Sequence, residues 1–282
     1  MSVQWAHLGA DGVLVASSDG AWIQQPELAT FGALGFIAPM TDGQPATVQT
    51  TRHLLDGAIT AAERAAPTIE EPPLTALRWA WNLVSQWHCA HYSVALLPDL
   101  IDRFEHDDRP DLGRFATQKL ADERGHDQFA IDDLTALGYH GEEAVRHIPP
   151  AATVTAGLVY ARDCVYGDAP LEFLGYAYAL ERRVLNLDQA WLARLDAVLP
   201  AGVEAASGIR AHVNELDTEH VNEAVAFFTG LPPADRTAIA VGCYRTTQIC
   251  CAWSPDQVPS NAELEGWLSR FEVDNAVSRR RS

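Results

Sequence analysis

From Leu74 to Ser254 apolar residues recur at helical spacing, and no alternating strand pattern interrupts them. That excludes a sheet protein for this stretch and makes it an all-helical bundle. The spacing predicts helices over 74–93, 94–106, 111–137, 152–166, 170–195, 202–229 and 233–253. Gly138, Gly230 and the Pro149-Pro150 and Pro232-Pro233 pairs mark the stops.

Residues 1–66 have another texture. Val13-Leu-Val-Ala16 and Ala21-Trp-Ile23 are short apolar runs around Ser17-Ser-Asp-Gly20, a hairpin signal. Helical stretches near 27–38 and 47–65 follow, with Asp42-Gly43 between them, and Glu70-Glu-Pro-Pro73 reads as a linker. The expected organisation is a small α+β module over 1–66, the bundle over 74–254, and a tail over 255–282. The tail carries one short helix (261–271) and the basic end Arg279-Arg-Arg281. With 282 residues, 48% of them hydrophobic, the chain can bury a large core.

Charge narrows the partners. Twenty Lys and Arg against 38 Asp and Glu leave a formal charge of −18, which repels phosphate backbones. No apolar run reaches the roughly 18 residues that a membrane span needs. Met1-Ser-Val-Gln-Trp5 lacks the basic region and apolar stretch of a secretory signal, so the expected compartment is the cytoplasm. Five cysteines, an odd number with no CxxC pair, read as reduced thiols.

Three motifs carry chemistry. In Asp122-Glu-Arg-Gly-His126 the spacing puts Glu123 and His126 on one face of a helix, a pattern by which bundles present a carboxylate and an imidazole to a metal. His212-Val-Asn-Glu215-Leu-Asp217-Thr-Glu219-His220 repeats the carboxylate-x-x-His spacing at Asp217 and His220 and adds His212. Glu181 closes the uncharged, aromatic stretch Leu174-Gly-Tyr-Ala-Tyr-Ala-Leu, where a carboxylate needs a partner. Arg182, Arg183 or a metal would supply one. Imidazoles and carboxylates from three helices suit iron or manganese better than a closed zinc site.

In order and content, Glu123-Arg-Gly-His126-Asp127, Asp132-Asp-Leu-x-Ala-Leu-Gly138, Leu174-Gly-Tyr-x-Tyr-x-Leu-Glu181 and His212…Asp217-x-x-His220 resemble the heme-oxygenase-like diiron oxidases and oxygenases. These share a seven-helix fold with thiaminase II and pyrroloquinoline quinone synthase. The resemblance covers roughly 74–253. It implies metal ligation by Glu123, His126, Glu181, His212, Asp217 and His220, with Glu123 and Glu181 as the catalytic carboxylates. It implies two iron ions, the second labile, dioxygen activation, and oxidation, desaturation or cleavage of a small amine, amino acid or fatty acid. Two positions depart from the pattern. Many relatives carry a Glu seven residues before the His, where this chain has Lys119; and His212 stands five residues before Asp217 instead of four. At about 100° per residue, His212 would lie about 140° from Asp217 on a regular helix, a mismatch that a one-residue π-bulge removes.

Other residues bear on substrate. His88 and His91 share a face of the first long helix, and Tyr160, Tyr176, Tyr178 and Tyr244 are candidates to line a pocket. Arg245, in an apolar helix, is placed to anchor a substrate carboxylate or to pair with a core acid. Trp79, Trp81 and Trp87 read as core. The N-terminal module resembles the winged-helix carriers that bind leader peptides, which implies a peptide partner. A homodimer is expected. Three readings compete: the diiron enzyme; a metal-free relative, a quinone-synthase-like oxidase or a thiaminase-like enzyme with Cys243, Cys164 or Cys89 as nucleophile; and a non-catalytic binding protein.

Overall fold

The computed structural model describes residues 2–24, 36, 40, 46–70, 72–213 and 217–273. Helices dominate, and a three-stranded antiparallel sheet of order β1-β2-β3 stands at the N-terminus. The chain divides into two compact units, 1–68 with 159–186 and 212–253, and 69–158 with 187–211 and 254–282.

In the first unit, β1 (Gln4–His7), β2 (Val13–Ser17) and β3 (Gly20–Gln24) form the sheet. The expected hairpin is β2–β3, with Ser17 opposite Gly20. β1 was not anticipated, because four residues are too few to show a period. Helix α1 (Val48–Ala65) starts in a reciprocal cap between Thr47 and Thr50 and buries Leu54, Leu55, Ala58 and Ile59. Gly57 lets it lie against the hairpin, since a Cβ there would fall 2.6 Å from that of Ala21. The unit continues with α7 (Pro170–Leu185), α10 (Asp217–Thr229) and α11 (Pro233–Cys251). Helix α11 packs on α7, on α1 and on β1, so the N-terminal residues share one unit with these helices. Buried Gln4 receives Arg236 Nε at 2.7 Å and donates to Thr50 and Thr51. The stretch expected as a helix over 27–38 lies, but for Phe36, outside the described residues.

The second unit is organised on α2 (Ala76–His106), which packs against α3 (Pro110–Glu123), α4 (Asp127–Ala136), α5 (Gly141–His147) and, near the C-terminus, α12 (Asn261–Leu268). Trp79, Leu83, Val84, Trp87, Leu134, Val145 and Leu195 form its core. The two helices expected over 74–93 and 94–106 are one, running through Pro98. The remaining helices are α6 (Ala152–Tyr166), α8 (Gln189–Val198) and α9 (Ser207–Ala211).

Two expected helices are broken where local chemistry outweighs periodicity. The 111–137 stretch stops at Glu123, because Arg124 is extended and Gly125 turns left-handed at φ +90°. The 170–195 stretch stops at Leu185 and restarts after Asp188, whose carboxylate caps α8 by accepting the Trp191 N–H at 2.7 Å. No described helix is long and apolar enough to cross a membrane.

Candidate metal centre

Glu123 is the last residue of α3, Glu181 lies near the end of α7 and His220 in the first turn of α10. Glu181 and His220 belong to the first unit, and a ligand atom of one lies within 4.8 Å of a ligand atom of the other. His220 is buried, and both glutamates are half-buried. Donors sharing one ion through bonds of about 2.1 Å sit up to about 4.2 Å apart, so small side-chain adjustments would let one ion take both Glu181 and His220. A carboxylate with an imidazole is a hard-to-intermediate donor pair, of the kind that holds iron or manganese and leaves positions open.

The other expected ligands are placed differently. His126 does not share a continuous helix with Glu123, since the break at Arg124 and Gly125 lies between them. Its Nδ1 nevertheless comes 2.9 Å from Glu123 Oε2, with both side chains largely covered. His212 and Val213 are in π-helical conformation, the irregularity that the five-residue spacing to Asp217 called for. Residues 214–216 and the side chain of Asp217 lie outside the described residues. Asp133, from the acidic pair Asp132-Asp133, accepts the Ser207 N–H with both oxygens, at 3.1 and 2.9 Å, and so anchors the start of α9, which leads into that π turn. Burial pushes the Asp133 carboxyl above its usual range, against the pull of the Ser207 and Gly208 contacts.

The residues expected to bind substrate are mostly engaged. Tyr178 is buried, and its hydroxyl donates to Asp56 Oδ1 at 2.7 Å. Arg182 clasps the same carboxylate at 2.9 and 3.2 Å, so Tyr178 and Arg182 both hold Asp56. Arg183 Nη1 is directed at Cys251 Sγ, 3.8 Å away. Arg245 takes the core-acid alternative: Nη1 donates to both oxygens of buried Glu172, at 3.0 and 2.8 Å, and Tyr160 donates to Glu172 at 2.6 Å. The outer part of Arg245 still lines a cleft of about 100 Å³ with Tyr244, Gln248, His7 and Asp11. Sequence reasoning missed Glu172. Its place in the first turn of α7 resembles an ordinary helix-dipole acid, though its apolar neighbours gave the same cue that singled out Glu181.

His91 stacks on Trp87, with centroids 4.5 Å apart, and its Nδ1 lies 2.8 Å from Asp127 Oδ2. Burial lowers the pKa of His88, opposed by contacts to the Ile148 and Val145 carbonyls. Trp79 is core as expected, Trp87 likewise, and Trp81 is half-buried with its indole N–H on the Pro149 carbonyl at 2.9 Å.

This architecture defines a heme oxygenase-like fold. The chain is similar to a domain of unknown function with a heme oxygenase-like fold from Shewanella denitrificans OS217, at 16% identity and a TM-score of 0.55, over 72% of this chain and 86% of that one. No protein-family model matches the chain, and no curated protein does.

Proposed function

We propose that this chain is a nonheme iron-dependent oxidoreductase that uses dioxygen on a small molecule, an amine, amino acid or fatty acid. The observation that carries the reading is the approach of Glu181 and His220, two residues of complementary donor type on separate helices of one unit. In this reading those two are ligands of the ion. Bound iron supplies the one-electron and dioxygen chemistry that no side chain can.

The protein's own part is charge, orientation and exclusion of water. Glu181 offsets charge of the cation, and His220, buried, contributes a neutral donor. His126, hydrogen-bonded to Glu123, orients that carboxylate. Glu181 follows buried Tyr176, Tyr178 and Ala179 on α7, an apolar stretch that limits solvent at the donors. Two of the three nucleophiles that the thiaminase-like alternative offers are poorly suited to it: burial holds the Cys243 thiol well above its usual pKa and pushes Cys164 up to about 12, which disfavours the reactive thiolate.

Metal analysis of protein produced with iron available, followed by anaerobic Fe(II) titration and exposure to oxygen, tests the proposal. Bound iron with an optical spectrum that changes on oxygenation is the expected result. Absence of bound iron, in protein that retains its helical circular dichroism, would sink it.

A further inference from the structure

A cleft of about 100 Å³ opens between the turn that follows β1 and helix α11, and every residue that lines it belongs to the first unit. That is roughly the share of three waters, enough for the charged head of a small molecule. Its lining carries one guanidinium and one carboxylate, Arg245 and Asp11, both exposed. Buried Glu172 fixes the guanidinium. Nη1 of Arg245 donates to both Glu172 oxygens, at 3.0 and 2.8 Å, and Tyr160 donates to the same carboxylate at 2.6 Å. Arg245 reaches Glu172 through Nη1, which leaves its Nε–Nη2 edge clear of that carboxylate. Such an edge is the planar fork that grips a carboxylate through two parallel hydrogen bonds. Asp11 is fixed from the other side. Gly12, at φ +109°, ties its turn to β3, since a Cβ there would fall 2.7 Å from the Gln24 carbonyl oxygen. Tyr244, next to Arg245 in the chain, links the two charges. Burial and then a hydrogen bond to Asp11 push its phenol up to about 12, and Gln248 Nε2 donates to the same oxygen at 3.1 Å.

We propose that this cleft binds a free α-amino acid with a small side chain, its carboxylate on the Nε–Nη2 edge of Arg245 and its ammonium on Asp11. The charges select that class. Glu172 already balances Arg245, so Asp11 leaves the cleft with an excess of negative charge, and a simple anion at Arg245 would meet the Asp11 carboxylate. A simple amine at Asp11 would meet the guanidinium. A zwitterion turns both repulsions into attractions, so each charge of the cleft rejects the molecules that lack its complement. Asp11 can take the ammonium while it accepts from Tyr244, because a carboxylate has about four acceptor positions. Glu172 stands in the first turn of α7 and Glu181 near its end, about 13 Å further along the helix axis. The cleft is therefore separate from the Glu181 and His220 donors, and the inference does not rest on the iron reading.

The test is ligand-observed saturation-transfer NMR on the full chain with three probes: L-alanine, acetate and L-alaninamide. Wild type should bind L-alanine with a dissociation constant on the order of 1 mM, as suits charge pairs in an open cleft. Acetate lacks the ammonium and L-alaninamide the carboxylate, and each should bind at least about fivefold more weakly. Asp11→Asn should weaken L-alanine at least about fivefold and strengthen acetate, because the same change removes an attraction for one and a repulsion for the other. Arg245→Lys keeps a cation for Glu172 but loses the fork, and should weaken L-alanine by about fivefold or more. Thermal unfolding checks both variants, and Asp11→Asn, at an exposed position, carries the test if Arg245→Lys does not fold. L-alanine binding no tighter than acetate or L-alaninamide in wild type would overturn the inference. So would L-alanine affinity unchanged by Asp11→Asn, or no L-alanine binding at about 50 mM.

Discussion

His126 Nδ1 and Glu123 Oε2 lie 2.9 Å apart across a helix break, with Gly125 in the left-handed region between them. The sequence spacing implied that one helix face brings the two together. The structure achieves the same juxtaposition by a turn, which leaves His126 at the start of α4 and Glu123 at the end of α3. Since His126 is bound to Glu123 whereas His220 lies beside Glu181, the two imidazoles should behave differently on removal. His220→Ala should abolish Fe(II) retention. His126→Ala should weaken it by about 10–100-fold, the usual cost of losing a group that orients a ligand. Anaerobic titration of both variants, with thermal unfolding as a check on the fold, measures this. Equal loss in both would make His126 a ligand.

Tyr178 and Arg182 converge on Asp56, from α7 to α1, and this clasp sets how α7 is held. Arg182 and Asp56 are about three-quarters covered, so their pairing is worth more than a surface bridge and less than a fully buried one. Asp56→Ala should cost about 2–3 kcal/mol of unfolding free energy, because it leaves a covered guanidinium and a buried hydroxyl without their acceptor. Tyr178→Phe, which removes one bond and keeps the ring, should cost about 1 kcal/mol. Urea unfolding distinguishes the two. If Tyr178→Phe altered substrate affinity with stability unchanged, the pocket role inferred from sequence would be restored.

These residues also mark how far the sequence could be read. Helix α6 has the boundaries predicted for it, the β2–β3 hairpin sits where Ser17-Ser-Asp-Gly20 put it, and Glu123, Glu181 and His220 were each singled out by local pattern. The π turn at His212 was expected on the condition that His212 and Asp217 share a face, because a spacing of five does not bring them together at 3.6 residues per turn. What remained hidden depends on long-range contact. Tyr178 meets Asp56 across 122 positions and Arg245 meets Glu172 across 73, and periodicity says nothing about such pairs. The helix breaks were hidden for another reason: Gly125 and Asp188 are tolerated inside helices, and only the backbone shows which role each has taken.

Alkaline pH should destabilise the protein earlier than its acidic composition implies. Burial is the leading cause of the upward shifts of Cys164, to about 12 from an ordinary 9.0, and of Cys243, Tyr160 and Tyr178. A raised folded-state pKa means that the native state keeps a proton which the unfolded chain releases. Its contribution is fully present below the unfolded pKa and is lost as pH rises towards the folded value. For Cys164 that window runs from about 9 to about 12. Unfolding free energy should therefore fall by roughly 1 kcal/mol per pH unit for each such group within its window. Denaturation midpoints measured from pH 7 to 11 check the trend. Thiol labelling at pH 8 should spare Cys164 and Cys243 in the native state, and rapid labelling of either would contradict the burial argument.

The α7–α11 crossing rests on two glycines, and it is the part of the first unit least able to accept added volume. A Cβ on Gly175 would fall against the Ile239 carbonyl oxygen and 2.7 Å from the Cys243 nitrogen. One on Gly242 would fall against the Glu172 carbonyl oxygen and 2.8 Å from its Cα. In each case the obstacle is backbone of the opposite helix, which cannot swing aside as a side chain can. The same crossing carries the Glu172–Arg245 pair, and α7 continues from it to Glu181. Gly175→Ala and Gly242→Ala should each destabilise by about 3 kcal/mol, the upper part of the usual overpacking range, despite the better helix propensity of alanine. Because relief requires α7 and α11 to separate, iron retention should fall together with stability in both variants. Gly266→Ala in α12, where a Cβ meets open space, is the matched control and should be neutral or slightly stabilising. Neutral behaviour of Gly175→Ala in the same unfolding assay would mean that the two helices are not in the close contact seen here.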